Sequence, residues 1–163
     1  MGQENPLFDT IHIHLAVPSE YSILGEIMYE AVRNGQSKYT EQQREAWVPE
    51  ARSGKEWNER LASQAVFVAS DSAQSLGFMS LADKGYIDFA YIRPDSRGKG
   101  VFRQLYLKLE EYAVKSRAER LWVHASLMAH QPFEAMGFSV TKEETVEIRG
   151  EFLQRYEMEK KLV

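Results

Sequence analysis

The chain is 163 residues long, 44% apolar and 27% charged, with a formal net charge of −4 and no cysteine. That length allows one domain, 1–163, with a real hydrophobic core, and the charge offers no global basic field for nucleic acid or an anionic membrane. Without cysteine there are no disulfides, thiolate metal sites or cysteine nucleophile, and without a long apolar run or a leader-like start at Met1–Asn5 the expectation is a cytoplasmic protein.

Ile11, Ile13, Leu15 and Val17 alternate with His12, His14 and Ala16, which predicts a first strand. Ser19 is placed to cap a helix reaching about Arg33, stopped by Asn34-Gly35. Thr40 and Gln43 form a capping box for a short helix ending near Trp47, and another short helix covers Glu56 to Ser63. Ala65–Ala69, Leu76–Leu81 and Tyr86–Ile92 read as three strands of an antiparallel meander. From Val101 the spacing turns helical: Val101, Leu105, Leu109 and Tyr112 share an apolar face, opposite Gln104, Lys108, Glu111 and Lys115. Leu121–Ala125 is a fifth strand, and Pro132–Met136 a short helix ended by Gly137. Val146 and Ile148, the Arg149-Gly150 turn, and Phe152, Tyr156 and Met158 predict a closing hairpin.

The most informative stretch joins the fourth strand to the long helix. Arg97-Gly98-Lys99-Gly100 is a basic, glycine-rich turn that opens directly onto a helix. The unpaired N–H groups of a helix start, with the positive end of its dipole, make an anion site, and glycine admits a ligand close to the backbone. Two other phosphate loops do not fit. A nucleotide-triphosphate loop needs glycine and Ser/Thr where Arg93 and Gly100 stand, and a dinucleotide fingerprint needs a third glycine at Arg103.

The turn resembles the acetyl-coenzyme A signature Arg/Gln-x-x-Gly-x-Gly/Ala of the GNAT-type N-acetyltransferases, with Phe102 in place of the last small residue. A second landmark of that family, Asn-x-x-Ala-x-x-Phe-Tyr-Glu-x-x-Gly-Phe, is matched in frame by Ser126, Ala129, Pro132, Phe133, Glu134, Gly137 and Phe138. The region of Tyr39-Thr40 and Trp47 is similar to a bacterial branch of acetyltransferases. The resemblance implies an α/β (α+β) GNAT fold from about Ile11 to Leu162: a mixed, mostly antiparallel sheet flanked by helices, its fourth and fifth strands splayed around the coenzyme. It implies an acetyl-CoA-dependent N-acetyltransferase acting on an amine in a ternary complex, with no metal, nucleic acid or membrane partner; a homodimer is compatible with it. Coenzyme contacts are expected from Ala90, Tyr91 and Ile92 on the strand edge, from Arg97, Gly98, Lys99, Gly100, Val101, Phe102 and Arg103 in the turn, and from Ser126 and Phe133.

The catalytic groups stay open at this point. The family's usual acid, the tyrosine of Phe-Tyr-Glu, is replaced by Phe133, which has no proton to give. Ser126, His130 and Tyr156 are the alternatives for the leaving thiolate. For the base, Asp88 precedes the strand edge and His124 has suitable intrinsic chemistry; each also has an ordinary structural reading, as a cross-strand aspartate or a packed histidine. Tyr29, Tyr39, Trp47 and Trp57 are candidates to line the acceptor pocket. His12 and His14 share a strand face, but no third ligand has fitting spacing for a metal. The Phe133 substitution also supports a rival reading, a coenzyme-binding module with little or no turnover.

Overall fold

The computed structural model describes residues 10–163; the polar start Met1–Asn5 lies outside them. Seven strands form one sheet in the order β1-β2-β3-β4-β5-β7-β6. They are β1 His12–Leu15, β2 Ala65–Ser70, β3 Ser75–Leu81, β4 Tyr86–Ile92, β5 Arg120–Ala125, β6 Ser139–Ile148 and β7 Glu151–Lys161. Only β4 and β5 are parallel neighbours; every other pair is antiparallel. The helices are α1 Tyr21–Arg33, α2 Glu41–Trp47, α3 Lys55–Ala62, α4 Val101–Lys115 and α5 His130–Ala135.

The sheet separates two apolar cores. On one face α1 and α3 cover the strands through Leu24, Ile27, Met28, Trp57 and Leu61, packed on Val68, Phe78 and Phe89. On the other, α4 and α5 bring Leu105, Tyr106, Leu109 and Phe133 against Met79, Ile87 and Leu121. The buried stripe of α4 is Val101, Leu105, Tyr106, Leu109 and Ala113. Tyr112, expected on that stripe, is 42% exposed and lies edge-on to Phe67 at its margin.

Local chemistry explains most boundaries. Thr40 and Gln43 make the predicted reciprocal cap: Gln43 N–H donates to Thr40 Oγ1 at 3.1 Å, and Thr40 N–H to Gln43 Oε1 at 2.8 Å. Ser19 does not cap α1. It sits within a 3-10 turn, Pro18–Glu20, where Glu20 accepts from Val17 N–H at 2.9 Å. The closing hairpin is longer than the sequence pattern indicates, because β6 begins at Ser139 and is polar along most of its length.

Two irregularities in β4 set the geometry of the cleft beside it. Ser80 faces Phe89 and Leu81 faces Ile87, so Asp88 is an extra residue with no counterpart in β3. This bulge reverses the side-chain alternation: Ile87 joins the α4-side core, while Phe89, two residues on, joins the α1-side core. Furthermore, β4 and β5 pair only through Tyr86–Trp122 and Ile87–Val123. Beyond those pairs the strands part, leaving the β5-side edge of Ala90–Ile92 without a strand partner.

Candidate active site

A cleft of about 420 Å³ occupies the opening between β4 and β5. One wall is Ala90, Tyr91 and Ile92; the other is Ser126, Met128, Ala129 and Pro132; the turn before α4 closes the end. Gly98 and Gly100 have φ of 78° and 80°, a region side chains disfavour. A Cβ on Gly98 would meet nothing within 4 Å, so the glycines leave open space over the backbone. The N–H groups of Gly98, Lys99 and Gly100 donate to no backbone carbonyl among the described residues. Helix α4 has no side-chain cap and no acidic residue in its first turn. Its free donors and dipole therefore face this opening uncontested, which fits a pyrophosphate.

Of the residues expected here, Ala90, Tyr91, Ile92, Arg97, Gly98, Gly100, Val101, Phe102, Arg103 and Ser126 line the cleft. Lys99 is exposed and is not part of its wall. Phe133 is corrected: it is fully buried, edge-on to Phe102 and Phe138, and packs behind the cleft instead of lining it. Arg97 carries a role the sequence did not show. Its guanidinium donates to the carbonyls of Ala31 at 3.2 Å and Gln36 at 3.4 Å, tying the turn to the C-terminal end of α1. Burial holds this guanidinium below its ordinary range.

A second cavity, of about 240 Å³, lies on the α1 side of the same opening. Trp47, Tyr91 and Ser126 line both spaces, so the two meet at these residues. Ser126 Oγ accepts from Ala129 N–H at 3.2 Å, and its own O–H donates to no acceptor among the described residues. Tyr39 braces this junction. Its hydroxyl accepts from Leu127 N–H at 3.0 Å and donates to Gln154 O at 2.6 Å, and burial raises its pKa. Of the aromatic candidates, Tyr39 and Trp47 line the second cavity. Trp57 is core, its indole donating to Tyr21 O at 2.6 Å, and Tyr29 lines neither space.

Both candidate bases border the second cavity, in very different states. Asp88, aimed by the bulge, accepts from Arg60 Nε at 2.9 Å and Nη2 at 2.8 Å, and from Gln64 Nε2 at 2.6 Å. Both its oxygens are committed to cationic or amide donors. His124 is less constrained. Its Nδ1 lies 3.0 Å from Tyr86 Oη, and its Nε2 lies 3.6 Å from Glu144 and 3.9 Å from Glu157. Burial, then the Arg155 charge, lowers its pKa below the ordinary imidazole value, which keeps it neutral at neutral pH. The flanking carboxylates favour a proton on Nε2, leaving Nδ1 to accept from Tyr86. The alternative acids stand elsewhere: His130 and Tyr156 have ring centroids 4.4 Å apart, and neither lines either space. His14 bonds Glu20 at 2.8 Å, and no group of three potential metal ligands occurs among the described residues.

Sequence reasoning missed Tyr86 and four arginines of the second cavity, Arg52, Arg60, Arg149 and Arg155. They come from separate segments, and none carries a motif.

Comparison with known proteins agrees with this geometry. Residues 36–162 match the model of the acetyltransferase (GNAT) domain. The chain is 35% identical over 153 residues to an uncharacterised N-acetyltransferase, YafP, of Escherichia coli (strain K12), covering 92% of this chain and 95% of that one. A GCN5-related N-acetyltransferase of Rhodopseudomonas palustris superposes with a TM-score of 0.85 at 29% identity, covering 94% of this chain and 96% of that one. The PaiA N-acetyltransferase of Thermoplasma acidophilum, solved in complex with coenzyme A, shares the fold with a TM-score of 0.75 at 18% identity, over 93% and 99% of the two chains. The chain belongs to the GNAT family of N-acetyltransferases.

Proposed function

We propose that the protein transfers an acetyl group from acetyl-coenzyme A to an amine by direct attack, with the coenzyme in the larger cleft and the acceptor in the smaller cavity. The observation that carries this reading is the junction: two spaces on either side of the splayed strands meet at Ser126 and Tyr91. Occupants of the two spaces are brought together there, which replaces a bimolecular encounter by a positioned one. The chain has no cysteine to carry an acetyl group.

When bound, the coenzyme supplies an acetyl thioester whose thiolate is a tolerable leaving group. The pyrophosphate is held by N–H groups from Gly98 to Arg103, and the pantetheine runs along the free edge of Ala90–Ile92. His124 acts as base through Tyr86: the hydroxyl takes the amine proton as its own proton passes to Nδ1. A lysine-like amine, with pKa about 10.4, needs that help far more than an α-amine near 8. Ser126, oriented by Ala129 N–H, has a free O–H to offer the departing sulfur. Asp88 fixes Arg60 and thereby the wall of the acceptor cavity.

The test is calorimetric titration with acetyl-coenzyme A, followed by thiol release across an amine panel. Binding with acceptor-dependent thiol release is expected. Binding with no release for any amine would favour a coenzyme-binding module without turnover; no binding would remove the reading.

A further inference from the structure

The acceptor cavity has an unusual charge composition for a space meant to receive an amine. Among the described residues its wall contains Arg52, Arg60, Arg149 and Arg155 but a single carboxylate, Asp88. Two of the arginines are neutralised, Arg60 by Asp88 and Arg155 by Glu144, whose oxygen lies 2.7 Å from Arg155 Nε. Arg149 uses one guanidinium nitrogen on the carbonyls at the end of α2, Ala46 at 2.6 Å and Trp47 at 3.5 Å, and has no carboxylate partner among the described residues. Arg52 has neither. No side-chain hydrogen bond or ion pair joins it to any described residue, and its guanidinium lies over the face of Trp57 at 6.0 Å from the ring centre. It is half-buried in the wall of the cavity.

A partly desolvated guanidinium without an anion is costly, and bidentate pairing with a planar anion is what its fork of donors is shaped for. Burial, and the neighbouring Arg60 and Arg149 charges, hold Arg52 below its ordinary range against the smaller opposing pull of Asp88, so an arriving anion would relieve it. The cavity, about 240 Å³, falls below the usual size of drug-binding pockets and suits a small molecule.

We propose that the acceptor is a small amine carrying an anionic group, a carboxylate or a phosphonate, and that Arg52 receives that group while Arg149 supplements the field. This rests on the acetyl-transfer reading of the same site. It assigns the two ends of the acceptor to different walls: the anion to Arg52, the amine to Tyr86 and His124.

The experiment compares matched acceptors by thiol release: α-amino acids, aminoalkylphosphonates of equal chain length, and the corresponding amino acid amides and simple alkylamines. The anionic members should exceed their neutral partners in kcat/KM by about tenfold or more, the worth of one well-made charge-assisted pair. The carboxylate and phosphonate arms tell which anion is preferred. In Arg52→Met the ratio within each pair should collapse toward one, chiefly through KM, and Arg52→Lys should restore part of it. Coenzyme A titration of each variant verifies a folded protein. Neutral members as good as anionic ones, or an unchanged ratio in Arg52→Met, would overturn the proposal while leaving acetyl transfer standing. If coenzyme binds without turnover, calorimetry of the same pairs decides on binding alone, and equal or absent binding overturns it. If the coenzyme itself does not bind, both readings fall.

Discussion

The two spaces flanking the β4–β5 opening are built from opposite materials. The larger cleft, where we place the coenzyme, is lined largely by backbone and small or apolar side chains, and of its two arginines, Arg97 and Arg103, the first is turned away to hold α1. The smaller cavity, where we place the acceptor, is walled by charged and titratable side chains drawn from five or more segments of the chain. A ligand shared by many enzymes can be held by main-chain donors that survive sequence change. A particular acceptor needs side chains, which can be exchanged one at a time. The division predicts that variants on the two sides fail in different ways.

The largest separation should come from Gly100→Asp against His124→Ala. An aspartate at Gly100 sets a negative charge over the helix start and a side chain at φ 80°. Coenzyme affinity should fall about 100-fold or more, since charge-assisted hydrogen bonds are worth about 1.5–3 kcal/mol each. A folded variant that binds normally in calorimetry would disconnect the turn from the pyrophosphate. His124→Ala should bind coenzyme as the parent does and lose about 10²–10⁴ in kcat.

The pH profile sharpens the second half of that pair. Because the folded-state pKa of His124 is lowered, the neutral base persists to below the ordinary imidazole value of about 6.5. The rate should therefore hold as pH falls through that value and drop only below it, and the limb should vanish in His124→Ala. The same depression makes the native state prefer the neutral ring. Its contribution to stability is complete above about pH 6.5 and is lost as pH falls through the lowered value. Asp88→Asn should behave otherwise, with a lower melting temperature, a raised acceptor KM and no change in the shape of the pH profile. A rate loss in Asp88→Asn that recovers at high pH would make Asp88 the base instead.

A smaller effect is expected from Arg97→Ala. Loss of its bonds to Ala31 and Gln36 should cost about 1–2 kcal/mol of stability. Coenzyme binding should weaken through turn disorder, by a factor that hardly varies with salt. A steep dependence on ionic strength would show Arg97 acting as a direct phosphate cation. Smallest in its effect on catalysis is Phe133→Tyr. The added hydroxyl enters a closed aromatic cluster with Phe102 and Phe138, so stability should fall by about 1–3 kcal/mol. Turnover should not rise; a faster enzyme would mean that the hydroxyl reaches the cleft.

Legibility in the sequence divides along the same line. The turn from Arg97 to Val101 is legible because a strand, a glycine pair and a helix start are consecutive, and their chemistry needs no distant partner. The mixed, mostly antiparallel sheet and its splay come from the resemblance, the splay appearing in the structure as two paired positions and no more, whereas the place of β7 between β5 and β6 is not legible. The smaller cavity is not legible. Arg52, Arg60, Arg149 and Arg155 are ordinary charged residues until the fold turns them toward one space. The bulge at Asp88 is hidden because Tyr86 to Ile92 is apolar enough to look regular, and only the register with β3 shows the extra residue. The first half of β6 is equally hidden, because Ser139 to Glu143 is exposed on both faces and has no alternation to betray a strand. For Arg97 the sequence gives the right turn and not the partner, since a side chain's direction is not written in its neighbours.

A crystal structure grown with coenzyme A tests the division between the two spaces most directly. The pyrophosphate should lie on the N–H groups between Gly98 and Arg103, and the thiol between β4 and β5 beside Ser126, where the two spaces meet. A coenzyme lying elsewhere, for instance in the open depression of about 860 Å³ lined by Ala82, Gly85 and Arg120 at the still-paired end of the two strands, would contradict it.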